Sequence, residues 1–287
     1  MMGSTASAPG HALLVRPADP ADEPAIRALF FRASPTPVTD WPWAQHLGEA
    51  GFLLALLHGR VVGALLAWAD EGPVAWVRMS MLEEGFGVGR WLDQSLPLLA
   101  EALCHQGATT LAWADGFEWV GPALRERGFR PLTRLITMIK DSSWLPPLRT
   151  DTARLRAATT ADAPALVCLD HAAFPPPWWL GRATLERLSR ESACFLVAER
   201  DGRCLGYVEG RLSRPGAHIG RLAVAPTEQG RGIGARLLSA ALSRLAALGA
   251  TQVTLNTQEE NHASRRLYAR FGFRPFGRRV TVWGHDL

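Results

Sequence analysis

Lysine is almost missing from this chain. Lys140 is its only one, and the other 30 of its 31 lysines and arginines are arginines. They are scattered, without the runs of about 5–8 basic residues that mark a nucleic-acid patch, so no nucleic-acid partner is expected. A small phosphorylated ligand fits the forked arginine better. Cysteine is scarce as well: Cys104, Cys168, Cys194 and Cys204 lie far apart, with no C-x-x-C pair and no histidine at ligand spacing. That argues against a zinc site and a disulfide framework and leaves four buried free thiols as the expectation. Long apolar runs are absent, since Phe52–Leu57 and Val61–Trp68 are split by His58-Gly59-Arg60, well short of the roughly 18 residues that cross a bilayer. Met1–His11 holds Ser, Thr, Ala, Pro and Gly in place of a charged and then apolar leader. A cytoplasmic protein without a membrane partner is expected. Tyrosine occurs twice, at Tyr207 and Tyr268.

What is present describes a folded chain with more than one core. The 287 residues, 47% hydrophobic and 20% charged with a net charge of +4, exceed one ordinary domain of about 100–200 residues. The sequence also repeats itself. Arg16–Pro24 (RPADPADEP) returns as Arg156–Pro164 (RAATTADAP), and Phe52–Ala55 with His58–Gly63 returns as Phe195–Ala198 with Asp201–Gly206. Gly87-Val-Gly89 pairs with Gly232-Ile-Gly234, and Gly128-Phe-Arg-Pro131 with Gly272-Phe-Arg-Pro275. Four colinear matches imply duplication. The copies meet in Asp141–Thr152, where Pro146-Pro147 blocks helix and central strand. The expected division is residues 1–142, a linker at 143–152, and residues 153–287.

The second copy carries the clearer pattern. Amphipathic segments over Thr160–Ala173 and Thr184–Glu191 read as two helices preceding any strand. Ala193–Glu199 and Cys204–Arg211, joined through Asp201-Gly202, read as a hairpin, with His218–Ala225 as a third strand. A helix over Gly232–Leu248, a strand at Gln252–Asn256, a helix near Ala263–Phe271 and a strand at Val280–Trp283 complete the order. The fold class is α+β, with a mixed, mostly antiparallel sheet flanked by helices in each copy.

Leu222–Ala235 (LAVAPTEQGRGIGA) is a strand running through glycines into a helix. Free N–H groups at a helix N-terminus and glycines that let backbone approach closely suit a pyrophosphate. No Gly-Lys-Ser/Thr follows, and the spacing misses the G-x-G-x-x-G fingerprint. The tract Gln229-Gly-Arg-Gly-Ile-Gly234 resembles the Q/R-x-x-G-x-G/A signature of the GNAT superfamily of acetyl-coenzyme A-dependent N-acyltransferases. Asn261–Phe273 (NHASRRLYARFGF) resembles the second motif of that family, N-x-x-S-x-x-L-Y-x-x-x-G-F.

The resemblance implies two tandem GNAT folds and acetyl-coenzyme A as co-substrate, with no metal. It implies that Gln229, Gly230, Arg231, Gly232, Ile233, Gly234 and Ala235 hold the pyrophosphate, that Leu222, Ala223 and Val224 bond the pantetheine arm, and that Asn261 contacts it. Tyr268 matches the acid that protonates the leaving thiolate. Some members carry a base where Asn256 stands, and an amide cannot take a proton. Others place an acid where His218 stands, and an imidazole suits the task near neutral pH; Glu209 is the second candidate, and His218 also reads as a packed strand residue. Phe174-Pro-Pro-Pro-Trp178-Trp179 resembles an acceptor-site loop of the ribosomal-protein alanine acetyltransferase branch, and reads equally as an aromatic plug. The tandem architecture resembles mycothiol synthase.

The expected activity is acetyl transfer to a primary amine, on a small molecule or a peptide, through a direct ternary complex in the second half. An acyl-coenzyme A-binding protein without turnover is the alternative. The first half is expected to be silent, because Glu84 and Phe86 replace Gln229 and Arg231 and Leu124 stands at the Tyr268 position. Trp41, Trp43, Trp113 and Trp119 are expected to give that half a surface or a core.

Overall fold

The structure, a computed structural model, describes residues 13–33, 43–148, 152–213 and 216–287. Met1–His11, Trp41 and the linker residues 149–151 lie outside them. The chain divides into two compact units, and the cut does not follow the two sequence copies. Unit 1 takes the chain to Ala69, then Pro73–Arg130 and the final Trp283–Leu287; unit 2 takes Asp70–Gly72 and Pro131–Val282. Each unit thus includes chain from the other copy, which sequence repeats alone do not reveal.

Unit 1 runs β1 (Leu14–Pro17), α1 (Glu23–Leu29), β2 (Phe52–Leu57), β3 (Arg60–Ala69), β4 (Val74–Leu82), α2 (Val88–His105), β5 (Thr110–Asp115) and α3 (Gly121–Glu126). Its strands lie in the order β1-β2-β3-β4-β5. Neighbours are antiparallel except β4–β5, which pair in parallel over Val74–Trp76 against Thr110–Ala112.

Unit 2 begins with most of β6 (Arg130–Lys140), then β7 (Arg154–Ala157), α4 (Ala163–Ala173), α5 (Arg182–Glu191), β8 (Cys194–Arg200), β9 (Arg203–Ser213), β10 (Gly216–Val224), α6 (Ile233–Ala247), β11 (Val253–Gln258), α7 (His262–Arg270) and the start of β12 (Arg274–Asp286). Its strands run β6-β11-β10-β9-β8-β7. One face packs on α6 and α7 through residues such as Val208, Ile219, Leu238 and Leu255, and the other packs on α4 and α5 through Leu166, Leu185 and Tyr207. β7 precedes the helices, so the expectation of two helices before any strand is corrected; a four-residue strand with alternating arginines carries too little apolar pattern to be read. β12 is far longer than Val280–Trp283, and the expectation of four buried thiols is corrected: Cys194 is buried, but Cys104 and Cys168 stand on the exposed sides of their helices.

The repeated segments share local physics. Arg16 and Arg156 each clamp an aspartate six residues on, Asp22 and Asp162, through two hydrogen bonds of 2.7–2.8 Å. Each clamped aspartate also closes the capping box before the first helix of its copy. His58-Gly59 and Asp201-Gly202 both place two successive residues at positive φ, 52° and 75° in one, 51° and 73° in the other. That is the two-residue turn whose twist matches a hairpin.

Candidate active site

In unit 2 the parallel strands β10 and β11 stay paired only from Ala217–Val253 to Ile219–Leu255. Beyond that, β11 keeps its antiparallel partner β6 as far as Gln258 opposite Leu135, while β10 keeps β9 as far as Val224 opposite Gly206. A bulge at Gly220, between Ile219 and Arg221, bends β10 at the point of parting. Leu222, Ala223 and Val224 are therefore left without a β11 partner, and all three line a cavity of about 650 Å³. Backbone groups freed from a ladder remain available to an extended ligand.

The glycine tract forms one end of this cavity. Gly230 and Gly232 hold φ of +75° and +95°, a conformation that costs other residues about 1 kcal/mol or more. Gly232 is the residue before α6, whose first helical bond runs from Arg236 N–H to the Gly232 carbonyl at 3.1 Å. The donors of Ile233, Gly234 and Ala235 thus lack a helical acceptor and carry the positive end of the helix dipole. Gln229 donates to the Val224 carbonyl at 3.1 Å and folds the loop onto β10. Gly230, Gly232, Ile233, Gly234 and Ala235 line the cavity, as does Gln229. Arg231 is not among the lining residues and faces Glu228 at 3.5 Å. Arg266 and Arg270 of α7 add positive charge to the wall, beside Glu228 and Glu260.

Asn261 lines the cavity and caps α7, its Oδ1 accepting from Ser264 N–H at 3.1 Å. Tyr268, one turn beyond Ser264, is 6% exposed and packs its ring against Phe273. Burial pushes its phenol up to about 12, against a hydrogen bond with the Ser264 side chain and the nearby Arg221 charge. It stays protonated across the physiological range. Ser264 lines the cavity directly.

Ala217, Ile219 and Leu255 pack toward α6, so by strand alternation His218 and Thr254 lie on the opposite face. His218 Nδ1 meets Thr254 Oγ1 at 2.9 Å. Burial, aided by the Arg211 charge, lowers its pKa to about 4, so the ring is neutral at pH 7 and a weak base. Glu209, 1% exposed, is on that face too; it accepts from Ser192 Oγ at 2.7 Å and pairs with Arg211 at 3.3 Å. Burial raises its pKa, against the Arg211 charge and the Ser192 bond. Its carboxylate fills the place that a Cβ on Gly220 would take, directly under the bulge. Asn256 accepts from Thr137 Oγ1 of β6 at 2.8 Å.

Phe174 and Trp178 line the cavity, and Pro175 with them. Trp179 is not among the lining residues: its indole stacks on His171 at 4.3 Å and donates to the Phe174 carbonyl at 2.8 Å, bracing the loop. A group the sequence reading missed holds the loop from within. Asp170, fully buried in α4, takes two bonds from Arg221, at 2.8 and 2.7 Å, and one from the Tyr207 hydroxyl. An acidic residue in the mostly apolar APALVCLDHAA helix was the available signal.

Unit 1 carries a glycine loop at the corresponding place, with tryptophans packed behind it. Trp91 in α2 is 1% exposed, stands edge-on to Trp113 at 6.3 Å and stacks on Trp119 at 5.9 Å. Trp43 and Trp113 are core residues, at 4% and 2% exposure, and supply no surface. Among the described residues no group of three or more His, Cys, Asp or Glu could hold a metal, and no helix is long and apolar enough to cross a membrane.

The acetyltransferase (GNAT) family model matches residues 163–273, which contain the cavity. A mycothiol acetyltransferase of Tsukamurella paurometabola is 30% identical over 221 residues, covering 69% of this chain and 73% of that one. A Bacillus subtilis protein, with alanine N-acetylation of ribosomal protein bS18 as its proposed activity, is 28% identical over 115 residues, covering 40% of this chain and 76% of that one. In three dimensions, a tandem GNAT protein from the clavulanic acid biosynthesis pathway superposes with a TM-score of 0.64 over 96% of this chain and 98% of that one, at 19% identity.

Proposed function

Since the chain belongs to the GNAT acetyltransferase family and is an acetyl-coenzyme A-dependent N-acetyltransferase, we propose that unit 2 acetylates a primary amine directly, with both substrates bound together. The observation that carries this reading is the parting of β10 and β11 around a cavity whose end is the glycine loop. Acetyl-coenzyme A supplies an activated thioester carbonyl. The residues fit it: left-handed Gly230 and Gly232 bring the α6 donors forward for the pyrophosphate. The unpaired edge of Leu222–Val224 offers strand-like bonds to the amide-bearing arm, and the Asn261 side chain stands beside that route.

Proton transfer falls to groups on the two faces of the parted strands. Tyr268, held neutral, is the acid that meets negative charge growing on sulfur. Glu209 is the base we favour over His218. An imidazole of pKa about 4 is poorly matched to an ammonium, whereas burial moves the Glu209 carboxylate toward the neutral range. His218 then serves as a neutral neighbour of Thr254. The acceptor is a small-molecule or peptide amine reaching the bulge at Gly220, with Phe174 and Trp178 at its border. The reading goes with action in the cytoplasm.

Thiol release from acetyl-coenzyme A, followed across amines, polyamines, aminoglycosides and peptides with free N-termini, tests the proposal. Turnover with at least one amine is expected. Tight binding of the thioester without turnover on any of them would count against catalysis by unit 2.

A further inference from the structure

Arg221 is placed where three structures meet. It follows the bulge in β10 and precedes Leu222, the first residue of the unpaired edge to line the cavity. Its guanidinium makes two bonds to the buried Asp170 and a third, of 2.5 Å, to the Trp178 carbonyl, and it lies 3.6 Å from the centre of the Phe174 ring. Asp170 in turn accepts from Leu180 N–H at 2.9 Å. One guanidinium thus fixes the start, middle and exit of the Phe174–Trp179 loop. Three consecutive prolines, Pro175–Pro177, stiffen the span between.

A buried ion pair is weak evidence for added stability, because an apolar pair of similar size holds a core as well. Its value here is geometric. Val224 marks the pyrophosphate end of the cavity through its bond from Gln229, and Arg221 lies three residues back along the same strand, about 10 Å at strand rise. A thioester extended along Leu222–Val224 from the glycine loop therefore meets Phe174 and Trp178 with its acyl group. The Phe174 ring cannot retreat without losing its contact with the Arg221 guanidinium, and the Trp178 backbone cannot shift without breaking its carbonyl bond to Arg221.

Resting on the acetyl-coenzyme A reading above, we propose that Phe174 and Trp178 form a fixed stop that selects acetyl over longer acyl groups, with Arg221 as the positioning residue that sets it. Each methylene that a pocket cannot accept is worth roughly 10-fold or more in selection, so butyryl-coenzyme A, two methylenes longer, should bind about 100-fold more weakly than acetyl-coenzyme A.

Calorimetric titration of the full chain with acetyl-, butyryl- and unacylated coenzyme A needs no knowledge of the acceptor. Phe174→Ala should bring the two thioesters to within about twofold of each other while affinity for unacylated coenzyme A stays the same. Arg221→Met, which removes the anchor without touching the cavity wall, should narrow the same ratio; a purely structural role would weaken all three ligands alike. Equal binding of acetyl and butyryl thioesters by the unaltered chain, or retained selection in Phe174→Ala, would overturn the proposal. Failure of the unaltered chain to bind any coenzyme A species would overturn the underlying reading instead.

Discussion

His218 Nδ1 lies 2.9 Å from Thr254 Oγ1, next to the last register in which β10 and β11 are still paired. This contact holds a neutral ring in a half-buried place, with a pKa near 4 against 6.5 in an open chain. The unfolded chain therefore takes up the proton first as pH falls. Folding stability should be unaffected above about pH 6.5, decline between about 6.5 and 4, and lose at most roughly 3 kcal/mol to this group below that. Urea unfolding of the native chain and His218→Gln at pH 7 and at pH 4.5 checks this. The variant should lose less stability on acidification; equal losses would show that His218 does not titrate in this way.

Glu209 and His218 make different predictions for catalysis. If Glu209 takes the amine proton, Glu209→Gln should lower kcat/KM by about 10²–10⁴-fold and abolish the acidic limb of its pH profile. His218→Gln should keep that limb. The amide still accepts from Ser192, so the fold around the bulge is preserved. A limb that survives in the first variant and vanishes in the second would return the role to His218.

Tyr268→Phe keeps the ring against Phe273 and removes only the proton donor. Turnover should drop by about 10–1000-fold while affinity for acetyl-coenzyme A changes little. Steady-state rates beside calorimetry separate the two effects, and unchanged turnover would free Tyr268 of this role.

Much of this site is visible in the bare sequence because its parts are local. The glycines at 230 and 232 announce positive φ, the Asp201-Gly202 turn announces its hairpin, and the Asn261–Phe273 run places a helix and its cap. The tie between Asp170 and Arg221 is 51 residues long in sequence and depends on which face α4 turns to the sheet. Periodicity does not give that. The division of chain between the units is hidden for a similar reason: β6 closes the first copy of the repeat, yet its partner β11 lies in the second. His218 and Glu209 show a further limit, since residue type gives their ordinary pKa, whereas burial lowers one and raises the other.

The two glycine loops should not be equivalent, and the difference lies in what occupies the gap behind each. In unit 2 the strands part around a cavity. In unit 1 the parallel pair ends at Trp76 opposite Ala112, and the next residue of β5 is the buried Trp113. Trp91, in the opening turns of α2, stacks on Trp119 just before α3, so aromatic rings bridge the helix starts that in unit 2 flank the cavity. Trp91 is also locked in place: its Nε1 would lie 2.9 Å from a Cβ on Gly63, so even that glycine is committed to seating the ring. The loop backbone differs too, since Gly87 before α2 has φ of −69° where Gly232 has +95°. Glu84 adds a carboxylate near any phosphate, worth about 1 kcal/mol at a wet surface. Titration with acetyl-coenzyme A should accordingly give one strong site per chain. Gly232→Val, which forces a branched residue into the left-handed region, should abolish it, whereas Gly87→Ala, whose added Cβ meets nothing nearer than Arg90 Cβ at 3.9 Å, should leave it intact. Two equal sites, or a single site that survives Gly232→Val and disappears with Gly87→Ala, would reverse the roles of the two units.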